Sequence, residues 1–384
     1  MFRRDLLLTM LATAPFRWFR PWVRPTLESP GTKEANAALI YQKALGWSKG
    51  LSLEDLERLR KAATIPIDDP NVAALIQKAK LALEAIREAA SIGVCRWQPE
   101  NILNIDDLLK GRLDFSNLNT IRVACLSARQ LAKLHRGRDA LDDEFAGLTL
   151  AHRIGKGGLH MARVLECGGE ASVFQTLGRI LPDLDRATLD DLSRRLELLP
   201  PPEPASAMIG PESRFILGHL RSKLGAIGPI IEDNQWSEIG FDAEDAATLK
   251  RLTGGDRARL LAHLGATGPA FDELARRLDL PRPDCRASLD QFAKTEQSSQ
   301  PIVAGLVESA WGVRHVADRM LALRSMLRAG LVLVRDGEPA FLKIPDPYGT
   351  GAFALERRGK CTLIRSSLVD EGKPEVSLEV GEAA

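Results

Sequence analysis

The residues with the most chemical potential in this chain lie around one glycine-rich turn. His152 and His160 flank Gly155-Lys156-Gly157-Gly158, and Glu166 and Cys167 follow closely. Imidazole, carboxylate and thiolate are all metal ligands. The spacing is neither H-E-x-x-H nor H-x-x-x-H, the arrangements that put two imidazoles on one helix face. Two histidines across a glycine turn need not meet, so solvated or core-edge histidines are expected here. The glycines lack the G-x-x-x-x-G-K-[ST] order of a phosphate loop and sit between helical segments, which reads as a helix end and turn. Asp142-Asp143-Glu144 begins like the magnesium-holding pattern D-D-x-x-D, but position 146 is Ala. A solvated helix face is expected instead, near an N-terminus where acids favour the dipole. No G-x-S-x-G nucleophile turn occurs. Cys95, Cys125, Cys167, Cys285 and Cys361 are widely spaced without C-x-x-C, as expected of small buried apolar residues. The sequence therefore assigns no catalytic, cofactor-binding or metal-ligating residue, and no cofactor is expected.

Composition narrows the class. Hydrophobic residues make up 45 % of the 384, ample for a sizeable core, while aromatics are only 5 %. Leu and Ala dominate, which suits helix-on-helix packing. The formal net charge is +1. That balance argues against a nucleic-acid partner, whose affinity needs concentrated positive charge.

The N-terminal stretch bears on location. Arg3-Arg4-Asp5-Leu6-Leu7 resembles the twin-arginine export motif, with Phe2 where Ser or Thr is usual. The apolar run from Leu6 to Phe16 is shorter than the roughly 20 residues a membrane span requires. Ala12-Thr13-Ala14 looks like a cleavage site, although Pro15 should hinder cleavage. Arg17, Trp18, Phe19, Arg20, Trp22 and Arg24 then suit a membrane interface, where arginine snorkels and tryptophan meets headgroups. Export or peripheral membrane contact through residues 2–24 is the expectation.

Periodicity organises the rest as a mainly α fold of stacked, solenoid-like helical hairpins. Residues 1–32 read as the export or interface segment plus linker, and 33–200 as a helical-hairpin array. A second helical subdomain is expected over 201–300. A long helix with a small β-hairpin or sheet should fill 301–384. Ser52 with Asp55 fits a capping box, and Asp69-Pro70 marks another helix start. A helix then runs to about Ala90, before an irregular stretch over 94–114 with one turn near Leu108. In the centre, helices cover 118–134, 139–154, 159–181 with a soft spot at Gly168-Gly169, and 185–199. Gly137 is the expected turn between the first two. Pro200-Pro201-Pro202 breaks the array. A long apolar helix over 302–331 runs into Leu331-Val332-Leu333-Val334, and Asp336-Gly337 is a strong turn dipeptide. A hairpin is expected across Arg358-Gly359-Lys360.

Three resemblances follow from particular residues. Leu134, Gly137, Ala140, Phe145 and Ala151 resemble a tetratricopeptide-type hairpin over about one repeat. A long helix, then Asp346-Pro347-Tyr348-Gly349 at a D-P-W-G position, then two strands, is similar to the C-terminal part of type II secretion pseudopilins. Ser366 to Gly372 stands near that family's calcium loop. Asp370 and Glu371 are its only carboxylates here, short of the six or more oxygens calcium prefers. The whole combination looks like uncharacterised helical proteins of planctomycete-type bacteria. That likeness implies an architecture and no activity.

These observations point to a non-enzymatic scaffold or protein-interaction protein of the bacterial cell envelope, with a protein partner. The alternative is an enzyme or cofactor-binding protein exported folded, with its site in the helical body. Location is open to direct test. Fractionation with N-terminal sequencing should place the chain in the membrane or exported fraction, and deleting residues 2–24 should return it to the cytosol. An intact chain found only in the cytosol contradicts the export reading.

Overall fold

The computed structural model describes residues 35–97, 116–156, 159–369 and 375–382. The expected export segment, most of the irregular 94–114 stretch, Gly157-Gly158, Asp370 and Glu371 lie outside the described residues. The fold is mainly α, with a small antiparallel sheet near the C-terminus.

Four short helices come first: α1 (Ala37–Leu45), α2 (Leu53–Arg60), α3 (Pro70–Lys78) and α4 (Lys80–Ser91). Their starts follow local chemistry. Asn36, Ser52 and Asp69 each accept a backbone N–H of the following turn through the side chain. The single helix expected after Pro70 is broken at Ala79.

The centre is a layered array. Helices α5 (Ser116–Lys133), α6 (Gly137–Gly155) and α7 (His160–Ile180) pack on one another, and α8 (Arg186–Glu197) closes the stack. The turn between α5 and α6 is made by His135, which takes the left-handed conformation at φ 56°. Gly137 instead opens α6, where a Cβ would press on Leu184 and Thr188 at 3.1 Å. Gly168-Gly169 is no soft spot either. A Cβ at Gly169 would meet Ile121 Cδ1 at 2.7 Å and the Ala151 Cβ at 2.9 Å, so the glycine lets three helices close together.

Residues beyond the proline break form helices α9 (Ile209–Gly225), α10 (Asp233–Ile239), α11 (Ala243–Thr253), α12 (Arg257–Gly265), α13 (Gly268–Leu278) and α14 (Arg282–Glu296). Two small cores hold them. One centres on Phe271, Leu274, Leu289 and Phe292, the other on Leu224, Trp236, Leu249 and Leu264.

The long helix is split and then extended relative to expectation. A short α15 (Pro301–Gly305) precedes α16 (Val307–Asp336), and Leu331 to Val334 are helical. Its 30 residues span about 45 Å. Gly337, at φ 86°, ends it, so Asp336-Gly337 is a helix stop rather than a hairpin turn. A further turn, α17 (Glu338–Phe341), leads to the sheet. Strands β1 (Ala354–Arg358) and β2 (Cys361–Arg365) pair as the expected hairpin, and β3 (Ser377–Val380) adds a third strand beside β2. The sheet lies on α7 and α16. Gly178 permits this, because a Cβ there would strike Glu379 O at 2.6 Å. The first turns of α16 (Val307, Ala310, Val313) join the core around Phe271, whereas Met320 to Leu331 join the central core. One rod therefore serves two hydrophobic clusters.

Buried guanidiniums bind the array. Arg153 donates to Ala89 O at 2.6 Å, to Tyr41 Oη at 3.1 Å and to Ile92 O, closing the C-terminal end of α4. Its own carbonyl accepts Trp97 Nε1–H at 2.9 Å, and Tyr41 stacks on Trp97. Orphan carbonyls at a helix C-terminus carry partial negative charge, so a cation there is well matched. Arg153→Leu should lower unfolding free energy by about 3 kcal/mol, since it leaves buried carbonyls without donors. Arg153→Lys should recover only part of that in urea denaturation, because one ammonium cannot fork across several acceptors.

Candidate functional site

The turn singled out from sequence brings ligand-type side chains together, though not the four named there, for which no metal site was expected. His152 lies in the last turn of α6, and Glu166 and Glu170 lie one turn apart on α7. His152 Nε2 is 2.6 Å from Glu170 Oε1. Arg163 Nη1 is 2.5 Å from Glu166 Oε2. One donor atom from each of His152, Glu166 and Glu170 lies within 4.8 Å of the others. Glu166 is buried, and the other two are half-buried.

Local sequence explains the approach. Gly155 sits three residues after His152, on the side of α6 that meets Glu166. A Cβ at Gly155 would land on the Glu166 carboxylate, so glycine lets that carboxylate lie against α6. Burial pushes the Glu166 carboxyl up from its ordinary value; Arg163 opposes this and Glu170 adds to it. A crevice of about 20 Å³, lined in part by Gly155, Arg163, Glu203 and Met208, adjoins the cluster. It has room for about one water-sized particle.

His160 and Cys167 do not join. His160 Nδ1 makes a close hydrogen bond with Ser309 Oγ on α16, and its backbone N–H donates to Glu212 Oε2 at 3.0 Å. Burial lowers the imidazole to about 4, which keeps it neutral. Cys167 is buried in the core with its thiol pushed up to about 12 by desolvation. Sequence reading missed Glu170, although Glu166 and Glu170 stand at i,i+4, the spacing that shares a helix face.

The acidic run is a correction. Only Asp142 is solvated, pairing with Arg195 at 2.8 Å. Asp143 and Glu144 are both 0 % exposed. The reason is geometric. Consecutive helical residues point about 100° apart, and α6 is covered by α4, α5 and α7, so three acids in a row cannot all face water. Asp143 pairs with Arg87 Nε, while Glu144 Oε2 accepts Cys125 Sγ at 3.5 Å. Burial raises the Glu144 carboxyl well above its ordinary value, with Asp143 adding to the rise.

A second polar node lies on α16. The buried Asp318 accepts Arg282 Nη1 at 2.5 Å, Arg314 Nε at 3.0 Å and the Tyr348 hydroxyl at 2.9 Å. Arg282 also covers the Trp311 ring at 5.1 Å. The same turn is stitched by Asp346, also buried, which accepts Tyr348 N–H, Ser366 Oγ–H and Ser367 N–H. These bonds join α14, α16 and the sheet loops.

A surface depression of about 260 Å³ is open and lined by Leu199, Pro201, Pro202, Leu321, Arg324, Ser325 and Arg328. Arg324 forms part of its floor while donating to Pro200 O at 2.6 Å and Leu199 O at 2.8 Å. No known family model, curated protein or solved structure matches the chain.

Glu144 gives a pH prediction with a definite sign. Its folded value is raised, so the unfolded chain loses this proton first as pH increases. Its contribution is most favourable below about 4.5, the ordinary value, and worsens as pH climbs towards the folded value. While the folded acid stays protonated, each pH unit costs about 1.4 kcal/mol. Glu144→Gln, which keeps an acceptor for Cys125, should therefore gain stability over the parent as pH rises from 4.5 to 7. A pH-independent difference in urea midpoints would contradict a buried neutral acid.

Proposed function

We propose that this chain is a non-enzymatic helical scaffold of the bacterial cell envelope that holds a protein partner. The observation that carries the reading is the open depression between the end of α8 and α16. Leu199, Pro201, Pro202 and Leu321 give it apolar walls, and Arg324 and Arg328 give it a positive floor and rim. Such a surface suits an apolar side chain beside an acidic one on a partner segment. One wall stands on α16 and the other on the proline-rich segment that follows α8, so the depression lies at a helix edge, as binding faces of helical repeats do.

The tetratricopeptide-like residues, and the likeness to planctomycete-type helical proteins with a pseudopilin-like end, support a scaffold. Residues 2–24 support attachment at a membrane surface after export. No described helix is long and apolar enough to cross a membrane. The alternative, an exported enzyme or cofactor binder, has its best-supported site at His152, Glu166 and Glu170. Its mark would be an activity abolished by Glu170→Gln in a folded protein.

A photo-crosslinker at position 325 tests the scaffold reading in cells. It should capture one envelope protein, and Leu321→Glu or Arg328→Glu should cut that product at least tenfold. Equal capture by the variants, with folding intact by circular dichroism, overturns the assigned face.

A further inference from the structure

We propose that His152, Glu166 and Glu170 bind one divalent transition-metal cation of the zinc class, clamping α6 to α7. This goes beyond the scaffold reading and does not depend on it. The three donors come from two helices that pack along one another, so they are placed by the core rather than by a loop. One imidazole and two carboxylates form a mixed nitrogen–oxygen set suited to a borderline first-row ion.

Geometry and charge both favour the ion. Zinc holds nitrogen and carboxylate oxygen at about 2.0–2.2 Å, so its ligand atoms sit roughly 3–3.5 Å from one another. The observed atoms lie within 4.8 Å. In the proposed site, rotation about the glutamate side-chain bonds draws the ligand atoms in to that spacing. Glu166 and Glu170 at i,i+4 are like charges that repel, and a dication between them removes the repulsion. With His152 neutral, the two carboxylates balance the charge of the metal.

A third feature concerns Arg163. Its guanidinium occupies Glu166 and supplies the positive charge that the carboxylate pair requires. In the proposed site the metal takes Glu166 Oε2, the oxygen that Arg163 holds, and displaces this contact. Arg163 thus acts as a competitor for the ion, and Gly155 keeps open the space beside the contested carboxylate. Three protein ligands leave the remaining coordination position to water. His152 binds through Nε2, with its proton on Nδ1.

The test uses the full chain without a polyhistidine tag, stripped by chelator and titrated with zinc chloride by calorimetry. One zinc per chain is expected, together with a higher melting temperature. His152→Ala and Glu170→Gln should each weaken binding at least tenfold. Arg163→Gln should tighten it several-fold, a result that a purely structural His–Glu hydrogen bond does not give. The cobalt-substituted protein should lack a thiolate charge-transfer band, which separates this site from adventitious binding at free cysteines such as Cys95. If Arg163→Gln folds poorly, Arg163→Met serves the same purpose. Substoichiometric zinc, unchanged affinity in Glu170→Gln, weaker affinity in the Arg163 variants, or a thiolate band would each overturn the proposal.

Discussion

The structure depends on buried and half-buried arginines that donate to the carbonyls at helix C-terminal ends. A short helix inside a stack leaves its last carbonyls away from water, and each needs a donor. Arg153 serves the end of α4, and Arg324 the end of α8 through Leu199 O and Pro200 O. Arg314 serves the end of α13 through Leu278 O and Leu280 O. Arg129 reaches Ala62 O and Ile65 O beyond α2, and it also pairs with Glu382 near the chain's other end. Arg257 reaches Ile227 O beyond α9. A guanidinium carries five donors in a planar fork, so one side chain satisfies several carbonyls that a lysine could not. This explains how a chain with few aromatics and many short helices can bury its helix ends.

The same constraint shapes what the surface offers. Arg324 spends its donors on the α8 end and, in doing so, fixes the proline-rich strand that walls the open depression. The depression is thus built from a cap. The His152 cluster differs, because its two carboxylates share one face of α7 and the Arg163 guanidinium pairs with Glu166 alone. Charge there is less completely matched than at the helix ends.

Much of the helical order was legible, and the reasons are local. Ser52, Asp69 and Asp185 announce helix starts because a short oxygen-bearing side chain caps the next turn. The α5–α6–α7 array and the β1–β2 hairpin followed from periodicity and turn residues. Most of the failures share a different cause. The close approach at Gly169, the burial of Asp143 and Glu144, and the third strand at Ser377–Val380 are set by neighbours distant in sequence, whereas the His135 turn is closed by local backbone bonds with no glycine to announce it. Glu170 belongs with these, since its meeting with His152 needs the α6–α7 hairpin to be closed. At the His152 turn, sequence named the right neighbourhood and two of the three side chains that meet. It could not choose between partners whose selection depends on helix rotation.

Asp318 stands at the changeover on α16. Val313, five residues before, belongs to the smaller core, and Met320, just after, belongs to the larger one. A long rod shared between two masses is weakest in bending at such a point. Here the carboxylate ties α14 through Arg282 and the loop before the sheet through Tyr348. The node therefore works as a brace: parting α14 or the loop before the sheet from the rod would leave a buried carboxylate short of donors.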